Sequence, residues 1–312
     1  MTFLPESFRY ILPILYFDLV FLISLFILNF NLIKAQFNKV KSSHIVCVVL
    51  IAIIGFSIRY FFTSPGPQGF SDEAIFVEMA RNIFIQRKGI GCDTYLNSKC
   101  IDPFHSIDSL APSVIYALSF IILGFGYPQA ILTNMIIGSI SIILIFFLTY
   151  LIFKNIKISL ISSLLLALNP IHIVYSASTD EGIISIFFSL LFLTALFIYT
   201  KTKRKSVFFL FLSIFLYLIQ IHQENILFVF LGIIFFLLNF KELISEIKKP
   251  YFLVGILLFI LLSVPYLVFI CNNLSIHENF EMGSELGSFM LLKKNFIDNL
   301  FFFLTFSKVP FI

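Results

Sequence analysis

Ten apolar runs divide this 312-residue chain, at positions 11–33, 43–62, 110–127, 129–153, 158–176, 182–200, 206–221, 225–240, 251–271 and 298–312. Most approach the about 20 residues that an α-helix needs to cross a bilayer. In hydrocarbon, each backbone N–H and C=O must find its partner inside the protein, so continuous apolar runs of this length predict helices and not barrel strands. Charged residues make up only 12% of the chain, against roughly a quarter in soluble domains. Mean hydropathy is +1.02. The expected fold is all-α, a polytopic helical protein integral to a membrane.

The basic residues set the expected topology. Twelve of the 21 Lys and Arg fall in four short loops: Lys34, Lys39 and Lys41; Lys154 and Lys157; Lys201, Lys203, Arg204 and Lys205; and Lys241, Lys248 and Lys249. The positive-inside tendency assigns all four to the cytoplasm. That requires run 110–127 not to cross, since counting it as a span puts the later three loops opposite the first. Pro112 near its start and Gly124 and Gly126 at its end suit an interfacial or re-entrant helix. The prediction is one transmembrane domain over 1–312, with an external amino terminus, eight complete spans and an incomplete ninth. External loops are expected at 63–128, with juxtamembrane helices, and at 272–299. The net charge of +4 is explained by these loops and implies no nucleic-acid partner. Cys92 and Cys100 share the first external loop, where an oxidising environment would allow a disulfide. Asp18, inside the first run, reads as a helix-pairing residue near the outer interface.

On this topology the acidic clusters Ser71-Asp72-Glu73, Thr179-Asp180-Glu181 and Gln223-Glu224 share the external face. After Ser71, a candidate N-cap, Ile75, Met79 and Ile83 recur at helical spacing and predict an amphipathic helix on the membrane surface. Asp72 and Glu73 in its first turn complement the helix dipole, and are also the first candidates for chemistry.

Asp72-Glu73-Ala74 followed by Met79-Ala80-Arg81 resembles the Asp-Glu-Ala, aromatic, Ala-Arg pattern in the first external loop of the GT-C membrane glycosyltransferases. Downstream, Leu168-Asn169-Pro170, Tyr175-Ser176 and Thr179-Asp180 resemble that family's second motif, in the same order. The nearest likeness is to the protein O-mannosyltransferases and the lipid A aminoarabinose transferases, over about residues 56–240. The resemblance implies transfer of a sugar from a polyprenyl- or dolichyl-phosphate donor to a hydroxyl of a lipid, glycan or protein acceptor, at the extracytoplasmic face and with inversion. By motif position Asp72 would be the catalytic base, with Glu73 orienting the acceptor or tuning Asp72. Asp180 and Glu181, with Tyr175 and Glu224, would hold substrate hydroxyls. Arg59, Arg81, His222, Lys293 and Lys294 are the cations available to the departing phosphate. The carboxylates offer hard oxygen ligands for a divalent cation, with no spacing that defines a metal site.

Three departures accompany the likeness. Phe76 stands where Tyr is commoner, His222 with Gln223 and Glu224 replaces an expected external Lys or Arg, and the chain has no Trp. The last disfavours the Trp-Trp-Asp type of oligosaccharide transfer to Asn. Family members continue for several more spans, which implies that the C-terminal part of the family fold is absent from this sequence. Two other classes fit a polytopic chain: a secondary transporter, which should show repeated halves and ionisable residues at mid-membrane, and a non-catalytic membrane scaffold.

Overall fold

The computed structural model describes residues 11–63, 72–87, 91–93, 99–101, 110–222 and 247–277, together with residues 225, 227, 228, 232 and 245. The regular secondary structure of the described residues is helical apart from one short ladder. The elements are α1 (Ile11–Ala35), α2 (Ser42–Phe62), α3 (Asp72–Gln86), β1 (Gly91–Asp93), β2 (Lys99–Ile101), α4 (Leu110–Leu123), α5 (Tyr127–Phe153), α6 (Ile156–Ala167), α7 (Pro170–Ser176), α8 (Gly182–Thr202), α9 (Lys205–Ile219) and α10 (Pro250–His277). The chain falls into two compact units, 1–269 and 270–312, and the end of α10 is the described part of the second.

Four helices, α1, α2, α5 and α8, are long and apolar enough to cross a membrane. The run at 158–176, expected as one straight span, is instead a bent pair, α6 and α7 meeting at 57°. The cause is local. Pro170 has no N–H to continue α6, whereas it suits the first turn of a new helix, and Asn169 caps that turn by accepting from the His172 N–H at 3.1 Å. Counted as one span, the pair brings the total to five among the described residues, against the eight predicted. The runs at 225–240 and 298–312 lie almost wholly outside the described residues.

A core of three clusters runs through the bundle. Val48 packs with Phe146 and Tyr150, Ala52 with Ile142 and Ala167, and Phe56 with Ile131, Met135 and Ala177. Position numbers rise along α2 as they fall along α5, so these two helices are antiparallel and α6–α7 follows α2. Close approach depends on small residues, as is usual between membrane helices. A Cβ on Gly138 would lie 2.5 Å from Ser176 Oγ, and one on Gly55 would lie 2.6 Å from Ile142 Cδ1. α9 is buried on all sides from Leu210 to Ile219 and packs against α8 and α1. Two polar pairs tie α1 to it: Gln220 Nε2 donates to Asp18 Oδ2 at 3.0 Å, and Ser206 Oγ donates to Asn29 Oδ1 at 2.7 Å.

These contacts give the bundle two chemically distinct ends. The Phe37 ring lies tilted beside that of Tyr150, Lys154 lies over the Tyr150 ring, Lys201 Nζ donates to the Leu151 carbonyl at 2.8 Å, and Ile156 packs on the Val48 cluster. The loops at 34–41, 154–157 and 201–205 therefore meet at one end, bringing nine Lys and Arg and no Asp or Glu. The opposite end carries α3, α4 and the turn after α7. With 14 residues, α4 extends about 21 Å, short of the about 30 Å hydrocarbon core. It starts beside Tyr217, whose hydroxyl donates to the Ala111 carbonyl, and its Phe120 meets Phe84 of α3. Gly124, at φ +82°, turns the chain directly into α5. These contacts set both ends of α4 at the acidic end.

Candidate active site

α3 forms where the sequence spacing predicts it, but it is not a free surface helix. Phe76, Met79, Ala80 and Ile83 are fully buried against neighbouring elements, while Ile75 is half-buried. Glu73 goes inward with this face and has no exposed surface. Tyr127, the first residue of α5, donates its hydroxyl to Glu73 Oε2 at 3.0 Å. Thr179 Oγ1 reaches the Glu73 backbone carbonyl at 3.0 Å and the Tyr127 hydroxyl at 3.2 Å. The first and second acidic motifs, 106 residues apart, are thereby joined through a single hydroxyl.

The turn carrying the second motif is pinned from below. Asn134, fully buried about two turns into α5, donates to the carbonyls of Ser178 and Asp180, both at 2.9 Å. Tyr116 of α4 donates towards Asn134 Oδ1 at 3.0 Å and the Thr179 carbonyl at 3.1 Å. Burial pushes the Tyr116 phenol well above its ordinary range, so it remains a neutral donor. One amide and one phenol thus satisfy three carbonyls that the end of α7 leaves without helical partners. The Asp180 side chain closes its own turn, accepting from the Gly182 N–H at 2.7 Å, and stays half-buried. Glu181 Oε1 lies 3.5 Å from Nε2 of the partly exposed His222. The Tyr175 ring passes beside Gly182. Arg81 is exposed at this end, its guanidinium 5.7 Å from the Phe125 ring centre.

Arg59 stands apart. It is fully buried on α2, donating to the Gly55 carbonyl at 2.6 Å, to the Ala167 carbonyl at 3.4 Å and to Nδ1 of His172. Asp72 opens α3, and only its backbone is described. Glu224, Lys293 and Lys294 lie outside the described residues. The β1–β2 ladder sets Cys92 directly opposite Cys100 in backbone register. No group of three or more His, Cys, Asp or Glu among the described residues is arranged to hold a metal ion.

Sequence reasoning missed Tyr116, Tyr127, Asn134 and His172. Asn134 had a readable signal, an amide well inside an otherwise apolar run, which must find partners at membrane depth. Tyr127 at a span start is indistinguishable from an ordinary interfacial aromatic.

The Tyr127–Glu73 bond makes a direct prediction. Tyr127→Phe removes a donor from a carboxylate with no access to water and should lower stability by about 1–3 kcal/mol, read as earlier thermal unfolding in detergent. Adding Glu73→Gln should recover part of the loss, because a neutral amide is less costly to bury. Additive single-variant effects would show that the two side chains act independently.

No curated protein and no solved structure gives a significant match to this chain. A family model described as dolichyl-phosphate-mannose-protein mannosyltransferase matches residues 109–269, more than half of its length. The match takes in α4 to α9, and with them Tyr116, Tyr127, Asn134, Thr179, Asp180, Glu181 and His222, and it begins after α3. With apolar helices of spanning length, this match identifies the chain as a member of the dolichyl-phosphate-mannose-protein mannosyltransferase family, integral membrane glycosyltransferases of GT-C type.

Proposed function

We propose that the protein transfers a sugar from a polyprenyl- or dolichyl-phosphate carrier to an acceptor hydroxyl at the acidic end of the bundle, with inversion. The observation that carries this reading is the 3.0 Å bond from Thr179 to the Glu73 carbonyl, which seats the first turn of α3 on the Asp180 turn. Asp72 is the base. It takes the acceptor proton as the acceptor oxygen attacks the anomeric carbon, while the bond from that carbon to the phosphate oxygen breaks on the opposite face. The electron pair leaves with polyprenyl phosphate, and Asp72 later returns the proton to water. Phosphate needs no protonation to leave, so the chain's task is a base plus fixed in-line geometry.

Glu73 is a positioning residue, since its enclosed carboxylate fixes α3 to α5 and hence aims Asp72. Asp180, Glu181 and Tyr175 orient sugar and acceptor hydroxyls, a role proposed for Glu224 as well. Arg81 and His222 offset charge on the departing phosphate. The nine cations at the other end support an outward-facing acidic end.

Purified full-length protein in vesicles, given labelled polyprenyl-phosphate mannose, glucose and pentose with a lipid, glycan or peptide acceptor, should release polyprenyl phosphate and yield product of inverted anomeric configuration. Turnover of nucleotide sugars alone, or retained configuration, would overturn the reading.

A further inference from the structure

A cleft of about 480 Å³ lies among α1, α5, α8, α9 and the start of α2, at the basic end and remote from the acidic motifs. Its size falls within the about 300–1,000 Å³ of small-molecule sites. Among its lining residues only Lys34, Asn38 and Thr194 carry polar side chains, and Thr194 spends its hydroxyl on the Leu190 carbonyl. The mouth opens sideways between α1 and α2, where Phe26, Phe30 and Ile45 remain 39%, 53% and 41% exposed.

Along α1 the cleft runs from Phe26 to Lys34, about 12 Å at the helical rise. That is less than half of an about 30 Å hydrocarbon core, so the cleft is confined to one leaflet. Its polar rim is at the headgroup end. Lys34 sits there among loops with nine cations and no carboxylate, and it is exposed.

We propose that this cleft binds one acyl chain of an anionic phospholipid from the leaflet at the basic end, with the lipid phosphate against Lys34. A single-leaflet chain fits its length, and an anionic headgroup fits its rim. The polyprenyl donor suits neither, because its chain far exceeds the cleft and its phosphate is wanted at the other end of the bundle.

The absence of Trp from the chain gives a clean test. Full-length Phe30→Trp protein, in phosphatidylcholine vesicles containing equal fractions of brominated phosphatidylglycerol or brominated phosphatidylcholine, reports which lipid occupies the mouth. Phosphatidylglycerol should quench about fivefold more effectively, the preference that about 1 kcal/mol for one lysine near an anionic surface gives. Lys34→Gln should abolish the preference, and Ile54→Trp, on the lipid-exposed part of α2, should show none. Phe26→Trp provides a second reporter within the cleft. Equal quenching by both headgroups at both reporters would overturn the proposal. Relief of quenching by unbrominated polyprenyl phosphate would overturn it too, by assigning the cleft to the donor.

Discussion

Asp72→Asn should abolish sugar transfer to within assay background, a loss on the order of 10²–10⁴-fold, while the protein should still insert and unfold at an unchanged temperature. The magnitude is that of removing a general base, since an amide matches the carboxylate in shape but cannot accept the acceptor's proton. Stability should hold because Asp72 is the first residue of α3, with the inward anchor supplied one position later by Glu73 and Tyr127. Glu73→Gln separates the two roles. It keeps an acceptor for the Tyr127 hydroxyl and should lower turnover modestly while leaving the pH profile in place, whereas the base itself governs that profile. An Asp72→Asn protein that retains more than about a tenth of its activity, below the general-base range, would pass the base role to another carboxylate, with Asp180 the next to test.

Arg59→Met should lower stability by about 1–3 kcal/mol and cut transfer on the order of 10²-fold, the penalty for a 1 Å error in placing a reacting group. The guanidinium has donors only, so His172 must offer it the Nδ1 lone pair and keep its proton on Nε2. The same fork holds the Ala167 carbonyl at the point where α6 breaks, and so binds both arms of the bend that delivers the Thr179–Asp180 turn. Without it these acceptors lose a donor where no water replaces it. The opposing effect is relief from burying a cation, worth several kcal/mol for an ion left unpaired. Three acceptors within reach of one planar group outweigh that here. Arg59→Lys should fail as well, because an ammonium cannot match the fork. His172→Phe added to Arg59→Met should cost less than the sum of the two, with a coupling of about 0.5–3 kcal/mol. An Arg59→Met protein as stable as the parent would leave Pro170 and Asn169 as the sole cause of the bend.

The parts of this fold that were legible in the sequence are those encoded by local composition. Apolar runs located α1, α2, α5 and α8, and Gly124 marked the turn between α4 and α5. Ser71 to Ile83 declared a helix, since an N-terminal polar cluster followed by apolar residues at helical spacing has few other solutions. What it faces was not legible. The inward turn of Glu73 depends on Tyr127, 54 residues later, and on Thr179, 106 residues later. The Arg59–His172 pair spans 113 residues. Asn169-Pro170 carried the signature of a cap and a helix start, yet its apolar flanks read as one continuous span. Hydropathy measures transfer to lipid and is blind to a 57° change of axis.

The crowding of positive charge at one end has an electrical consequence. Moving one elementary charge across a membrane against its potential requires about 2.3 kcal/mol per 100 mV. For the nine cations of the loops at 34–41, 154–157 and 201–205, inversion would require on the order of 20 kcal/mol at 100 mV before any dehydration is counted. Carboxylates at the acidic end would travel the opposite way, so their passage would add to this work and not offset it. With the basic end on the negative side, an energised membrane would oppose inversion of the folded bundle.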